Sequence, residues 1–171
     1  MMTTTEQTLT GEHAELLETL GKRRFFLRHT VQGLTDEQAA LTPTASQLCL
    51  GGLIKHVTRA ERGWYDFALR GPEGHPGADL ESHLNSFRML PGETLESLLA
   101  DYEATAKRTD ELVSSGADLN QSWPLPVAPW FPPNTRWSIR QVLMHIIAET
   151  AQHAGHADII RETIDGQKSM G

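Results

Sequence analysis

Apolar residues along the chain recur at helical rather than strand intervals. Between Gly11 and Gln32, Leu16, Leu17, Leu20, Phe25, Leu27 and Val31 fall mainly three or four apart, and Gly33 stands where a helix would stop. Thr35-Asp36-Glu37-Gln38 has the spacing of a capped helical turn, and a loop-like Thr/Ser stretch carries the chain from Pro43 to Leu48. A second helix is predicted from about Leu50 to Leu69. Leu53, Ala60, Trp64 and Phe67 share its stripe, Gly51 and Gly52 weaken its start, and Gly71-Pro72 ends it. A third runs from about Thr94 to Val113 with Leu95, Leu98, Leu99, Tyr102, Ala106 and Leu112 on the side to be buried. The fourth starts at Ser138-Ile139-Arg140-Gln141, which has capping-box spacing, and runs to about Ile164 before Gly166.

Two stretches between these helices lack periodicity. Gly71 to Pro91, rich in Gly, Pro and His, reads as a long surface connection of the crossover kind found in helical bundles. Asp118 to Arg136 holds Pro124, Pro126, Pro129, Pro132 and Pro133, which forbid a regular helix, together with Trp123, Trp130 and Phe131 as material for a wall or lid. Four amphipathic segments with no convincing strand alternation predict an all-α fold, a four-helix bundle with long connections. A length of 171 residues suits one domain spanning 1–171.

Composition narrows the function classes. Hydrophobic residues make up 39% and charged residues 22%, as in an ordinary folded domain. A net charge of −7 disfavours nucleic acid or an anionic membrane as partner unless cations segregate onto one face. Lys22, Arg23, Arg24 and Arg28 do not segregate. They spread over more than half a helix circumference and read as solvated surface. No apolar run reaches the roughly 20 residues of a membrane span, and Met1 to Thr10 is polar, so a cytoplasmic location is expected. Cys49 is the one cysteine, which excludes an intramolecular disulfide and a zinc site of several thiolates from one chain. It reads as a core or loop residue.

The fourth helix carries the candidate chemistry. His145, Glu149, His153 and His156 fall within an arc of roughly 80° at 100° per residue, and share a face. Imidazole and carboxylate suit a borderline divalent ion such as zinc, and the i, i+4 pair Glu149 and His153 can reach the same ion. A further ligand must come from a neighbouring helix. His56 is the best candidate, since it lines up with Leu53, Ala60 and Phe67 and so points inward. His13, His29, His75 and His83 have no comparable setting. The plainer alternative is histidines held by hydrogen bonds alone. Trp123, Trp130, Phe131 and Trp137 are candidates for a pocket rim, with packing as the plainer role. Arg136 and Arg140 could reach a substrate carboxylate, with surface exposure as the plainer reading.

The segments Leu50-Gly51-Gly52-Leu53-Ile54-Lys55-His56, Arg59-Ala60-Glu61-Arg62-Gly63-Trp64 and Glu149-Thr150-Ala151-Gln152-His153-Ala154-Gly155-His156-Ala157-Asp158 resemble the DinB-like superfamily over nearly the whole chain. The likeness is to actinobacterial members without an assigned activity and, more distantly, to mycothiol-dependent S-transferases and maleylpyruvate isomerases. It implies a four-helix bundle in which His56, Glu149 and His153 hold a divalent metal, zinc or else nickel, with a low-molecular-weight thiol as a further cofactor. Many members have His where this chain has Glu149, whereas the isomerase branch is similar to this chain in using Glu. His156 is left as an alternative ligand or a partner of one.

Such a three-ligand site would leave a position open, as catalytic zinc does, and the resemblance implies a transferase or isomerase that uses the thiol on a small electrophilic substrate. The alternatives are metal-assisted hydrolysis and a non-catalytic metal-binding bundle. The last would favour a fourth ligand from His145 or His156 and a homodimer.

Overall fold

The computed structural model describes residues 9, 11–75 and 79–170. Apart from Leu9, the polar stretch Met1 to Thr10 is outside the described residues, as are 76–78 of the first long connection, except that these are few among its residues. Four long helices dominate: α1 (Glu12–His29), α3 (Leu50–Arg70), α5 (Leu95–Ser114) and α6 (Ile139–Asp165), with a short α2 (Asp36–Ala39) after the first. Their ends are set by local chemistry. Thr35 with Gln38, and Thr94 with Ser97, form reciprocal capping boxes at the starts of α2 and α5. Ser138 accepts the Gln141 amide at the start of α6. Gly166, at φ 79°, ends α6 in the left-handed conformation that a side chain would resist. Cys49 is buried at the N-cap of α3, where its sulfur accepts the Gly52 N–H at 3.3 Å.

The long helices close a ring: α1 packs on α5 and α6, and α3 packs on the same two. Two apolar clusters fill it. One gathers Leu27, Val31, Leu50, Leu53, Ile54, Val57, Leu98, Tyr102 and Ile160; the other gathers Leu20, Trp64, Phe67, Val113, Val142, Leu143 and Ile146. On each helix buried polar residues stand between the two clusters. Arg24 stands between Leu20 and Leu27, Glu61 between Val57 and Trp64, Thr105 and Thr109 between Tyr102 and Val113, and Thr150 between Ile146 and Ala154.

Arg24 reaches across the ring to bond both carboxylate oxygens of Glu61, and its Nη1 donates to Asp110 at 2.7 Å. The solvated reading of the basic run is therefore corrected for Arg24, which is 2% exposed. Its spacing from Leu20 and Leu27 puts it on the inner face, and its charge is tolerated there because Glu61 is buried with it. Phe25, one position off that face, is exposed instead.

The described parts of the connection from Gly71 to Pro91, residues 71–75 and 79–91, hold more regular structure than their composition suggests. A 3-10 turn (Gly71–Glu73) leads to α4 (Leu80–Ser86), capped by Asp79 accepting the Ser82 N–H at 3.0 Å. Behind α4 the backbone presses on the start of α3. A Cβ placed on Gly52 would lie 1.9 Å from the Phe87 carbonyl oxygen, and one on Gly51 would lie 2.2 Å from the Met89 sulfur. These glycines, expected only to weaken the helix start, permit a close approach. The second connection also differs from expectation. It contains an antiparallel pair, β1 (Ser122–Pro124) and β2 (Arg136–Ser138), in which Trp123 faces Trp137 across the ladder.

Candidate metal centre

The α3–α6 interface and the approach of α4 bring the expected ligands together. His56, Glu149 and His153 each offer one ligand atom, and these atoms lie within 4.8 Å of one another. Glu149 Oε1 stands 3.0 Å from His56 Nε2 and 3.3 Å from His153 Nε2. Two ligands on a tetrahedral ion with bonds of about 2.0–2.1 Å are separated by about 3.3 Å, so both spacings suit a shared divalent ion. His56 is buried and its ring stacks on Phe87, with centroids 3.8 Å apart and planes 18° from parallel.

The hydrogen bonding around His56 also fits a cation. Ser86 Oγ donates its one hydrogen to the His83 carbonyl at 2.6 Å, so toward His56 Nδ1, 3.0 Å away, it acts as acceptor. The His56 proton therefore sits on Nδ1. Burial lowers the His56 pKa and keeps the ring neutral, which leaves the Nε2 lone pair facing Glu149. The contact with His153, the largest cause, holds the Glu149 carboxyl well below the usual carboxylate range, so it is ionised at neutral pH. A neutral lone pair and a carboxylate oxygen at 3.0 Å make a donor set ready for a cation.

His145 and His156 do not join the triplet. His156 Nδ1 lies 3.3 Å from His153 Nδ1, on the side of the ring away from Glu149, where it can fix the orientation of His153. His145 packs edge-on against Trp64 at 5.0 Å and near Trp137 at 5.1 Å, and burial lowers its pKa.

His56 and Glu149 form part of the wall of a pocket of about 650 Å³, which Arg59, Trp64, His75, His83, Trp130, Phe131 and His145 also line. His75 and His83, expected to have no setting comparable to that of His56, do not join the triplet but reach the pocket wall: His75 packs on Trp64 at 4.8 Å, and His83 is 5.9 Å from His56. His13 instead contacts the Ala117 carbonyl, and His29 stacks on Phe25. Of the aromatic candidates, Trp130 and Phe131 reach the pocket. Trp137 stacks on Trp64, and Trp123 donates to the Ala68 carbonyl at 3.0 Å. Arg136 bonds Ser122, and Arg140 bonds Glu12 and Asn120, so both tie surface elements together. Sequence reasoning missed Arg59 and Ser86. Arg59 carried a signal, since it lies one turn from His56; Ser86 depends on a tertiary approach and carried none.

The mostly helical architecture, with four long helices and one small two-stranded sheet, is that of the DinB-like class of all-α proteins. Within that class the chain belongs to the mycothiol S-transferase family, whose description matches residues 15–166 and so spans all three candidate ligands. Functionally curated proteins give no match. A crystal structure of a conserved protein from Enterococcus faecalis aligns with 93% of this chain and 100% of its own, at a TM-score of 0.62 and 19% identity. That likeness concerns the fold alone.

Among the described residues, no helix is long and apolar enough to cross a membrane.

Proposed function

We propose that the protein is a metal-dependent transferase that joins a low-molecular-weight thiol to a small electrophile, with zinc as the metal and mycothiol as the thiol. The observation that carries this reading is the triplet His56, Glu149 and His153, whose ligand atoms converge within 4.8 Å where two of the residues line a pocket. The family membership supports the choice of thiol.

A divalent ion held there would act as a Lewis acid that favours a thiolate over a thiol at neutral pH. The chain's own residues set the conditions for this. Two neutral imidazoles and one carboxylate would cancel only one of the two positive charges of such an ion, so the site would retain attraction for an anionic sulfur. The reacting sulfur comes from a second molecule, because Cys49 is buried at a helix start and engaged with Gly52 and Phe87. Trp64, Trp130 and Phe131 give the pocket an apolar lining for the electrophile. Isomerisation of an unsaturated electrophile would begin with the same addition of sulfur. The cytosol, where such thiols stay reduced, is the compartment this chemistry fits.

The test is consumption of mycothiol and of a small alkyl or aryl halide by zinc-loaded protein. The expected result is zinc-dependent conjugate formation that His56→Ala and Glu149→Gln abolish. Rates equal to the uncatalysed reaction across a panel of electrophiles, or unchanged rates in both variants, would overturn the reading.

A further inference from the structure

The α3 wall of the pocket carries more than a metal ligand. His56, Arg59, Ala60, Gly63 and Trp64 all line it, and at 1.5 Å per residue this wall extends about 12 Å from His56 to Trp64. Arg59 is the one arginine of the lining among the described residues. Its Nη1 donates to the Ser82 carbonyl at 2.7 Å and to the Ser82 hydroxyl, which fixes the guanidinium against α4.

Among the described residues Arg59 takes part in no ion pair, whereas Arg24, Arg62 and Arg140 each close on a carboxylate. Asp79 lines the same pocket, but its Oδ2 caps α4 by accepting the Ser82 N–H. With Nη1 engaged, the Nε–Nη2 edge of Arg59 keeps the parallel pair of N–H groups that matches a carboxylate bidentately.

We propose that Arg59 anchors a carboxylate carried by the electrophilic substrate, an inference that rests on the thiol-transfer reading. The lone guanidinium of the lining among the described residues matches the single charge of a carboxylate better than the double charge of a phosphate dianion. Arg59 is three residues from His56 on α3 and lines the same pocket as His56 and Glu149, so a carboxylate held by Arg59 shares that pocket with the ligand set. The rest of the molecule extends along α3 to Trp64 and the Trp130–Phe131 lining. The substrate class is therefore a short carboxylate bearing a flat, apolar substituent.

The test is calorimetric titration of zinc-incubated protein with benzoate and with benzyl alcohol, with zinc content measured on the same samples. The expected result is benzoate binding about tenfold or more tighter than benzyl alcohol, as a charge-assisted pair of hydrogen bonds supplies. Arg59→Gln removes that preference while benzyl alcohol binding and zinc content stay unchanged, and Arg59→Lys, which keeps the charge and loses the fork, retains part of it. Equal binding of the two probes would overturn the proposal. So would an unchanged preference in Arg59→Gln, the outcome if the carboxylate sat on the metal. An Arg59-dependent preference in protein that takes up no zinc would uphold the anchor and remove the thiol-transfer reading instead.

Discussion

Gly52→Ala tests how the fold sets the site. Alanine is the better helix former by about 0.8–1.0 kcal/mol, so an isolated α3 would gain from the change. In the folded protein the new Cβ would lie 1.9 Å from the Phe87 carbonyl oxygen and 2.3 Å from its carbon. Ordinary contact begins near 3.4 Å, so backbone 87–88 must retreat from α3 by about 1.5 Å. Phe87 stacks on His56, and the preceding Ser86 holds His56 Nδ1 at 3.0 Å. A retreat of that size removes both contacts.

Overpacking typically costs about 1–3 kcal/mol and more against backbone, which outweighs the propensity gain, so a net loss of roughly 1–2 kcal/mol is expected. Loss of the partner that orients His56 is expected to weaken zinc binding about 10–100-fold. Urea denaturation of the metal-free protein reads the first effect, and competition with a chromogenic chelator reads the second. Gly21→Ala is the control: its Cβ meets nothing within 4 Å, and a gain of up to about 1 kcal/mol with unchanged zinc affinity is expected. Wild-type stability and zinc affinity in Gly52→Ala would refute the reasoning.

Other outcomes follow from the same geometry. Ser86→Ala should lower zinc affinity about 10–100-fold in chelator competition, with Ser86→Thr recovering part of it. Arg24→Ala leaves Glu61 buried without its partner and should cost about 3–5 kcal/mol in urea denaturation, whereas Lys22→Ala, which breaks an exposed pair with Glu18, should leave the urea midpoint unchanged. For the metal-free protein, burial lowers the pKa of His56 and His145, so the unfolded chain takes up protons that the native state refuses. Stability should hold above about pH 6.5 and fall below it, by up to about 1.4 kcal/mol per pH unit for each proton. Glu149, depressed in the fold, stabilises above the ordinary carboxylate pKa of about 4.3, and that contribution is lost as the pH falls further. Urea midpoints from about pH 8 to about pH 2 check both signs, and His145→Gln should flatten the first decline.

The helices and the triplet were legible because each rests on local spacing. Glu149 and His153 are one turn apart on α6, and His56 shares the inward stripe of α3 with Leu53 and Phe67. What was not legible depends on partners distant in the chain. Arg24 reads as one more surface cation until Glu61, 37 residues away, is placed across the ring. Its position four after Leu20 and three before Leu27 was the available sign. The seven residues of α4 are too few to show a helical period, and the three-residue strands are too short to show alternation. The tie from Ser86 to His56 exists because α4 and the backbone that follows it pack onto the two glycines of α3, an approach no spacing rule encodes.

The central claim is that His56, Glu149 and His153 form one divalent-metal site. Elemental mass spectrometry of the purified, untagged protein beside His56→Ala and His153→Ala tests it most directly. Near-stoichiometric zinc in the unaltered protein, lost in both variants while their helical circular dichroism is kept, is the expected result. An unaltered protein that holds neither zinc nor nickel after incubation with each, or variants that bind as much metal as it does, would contradict the claim.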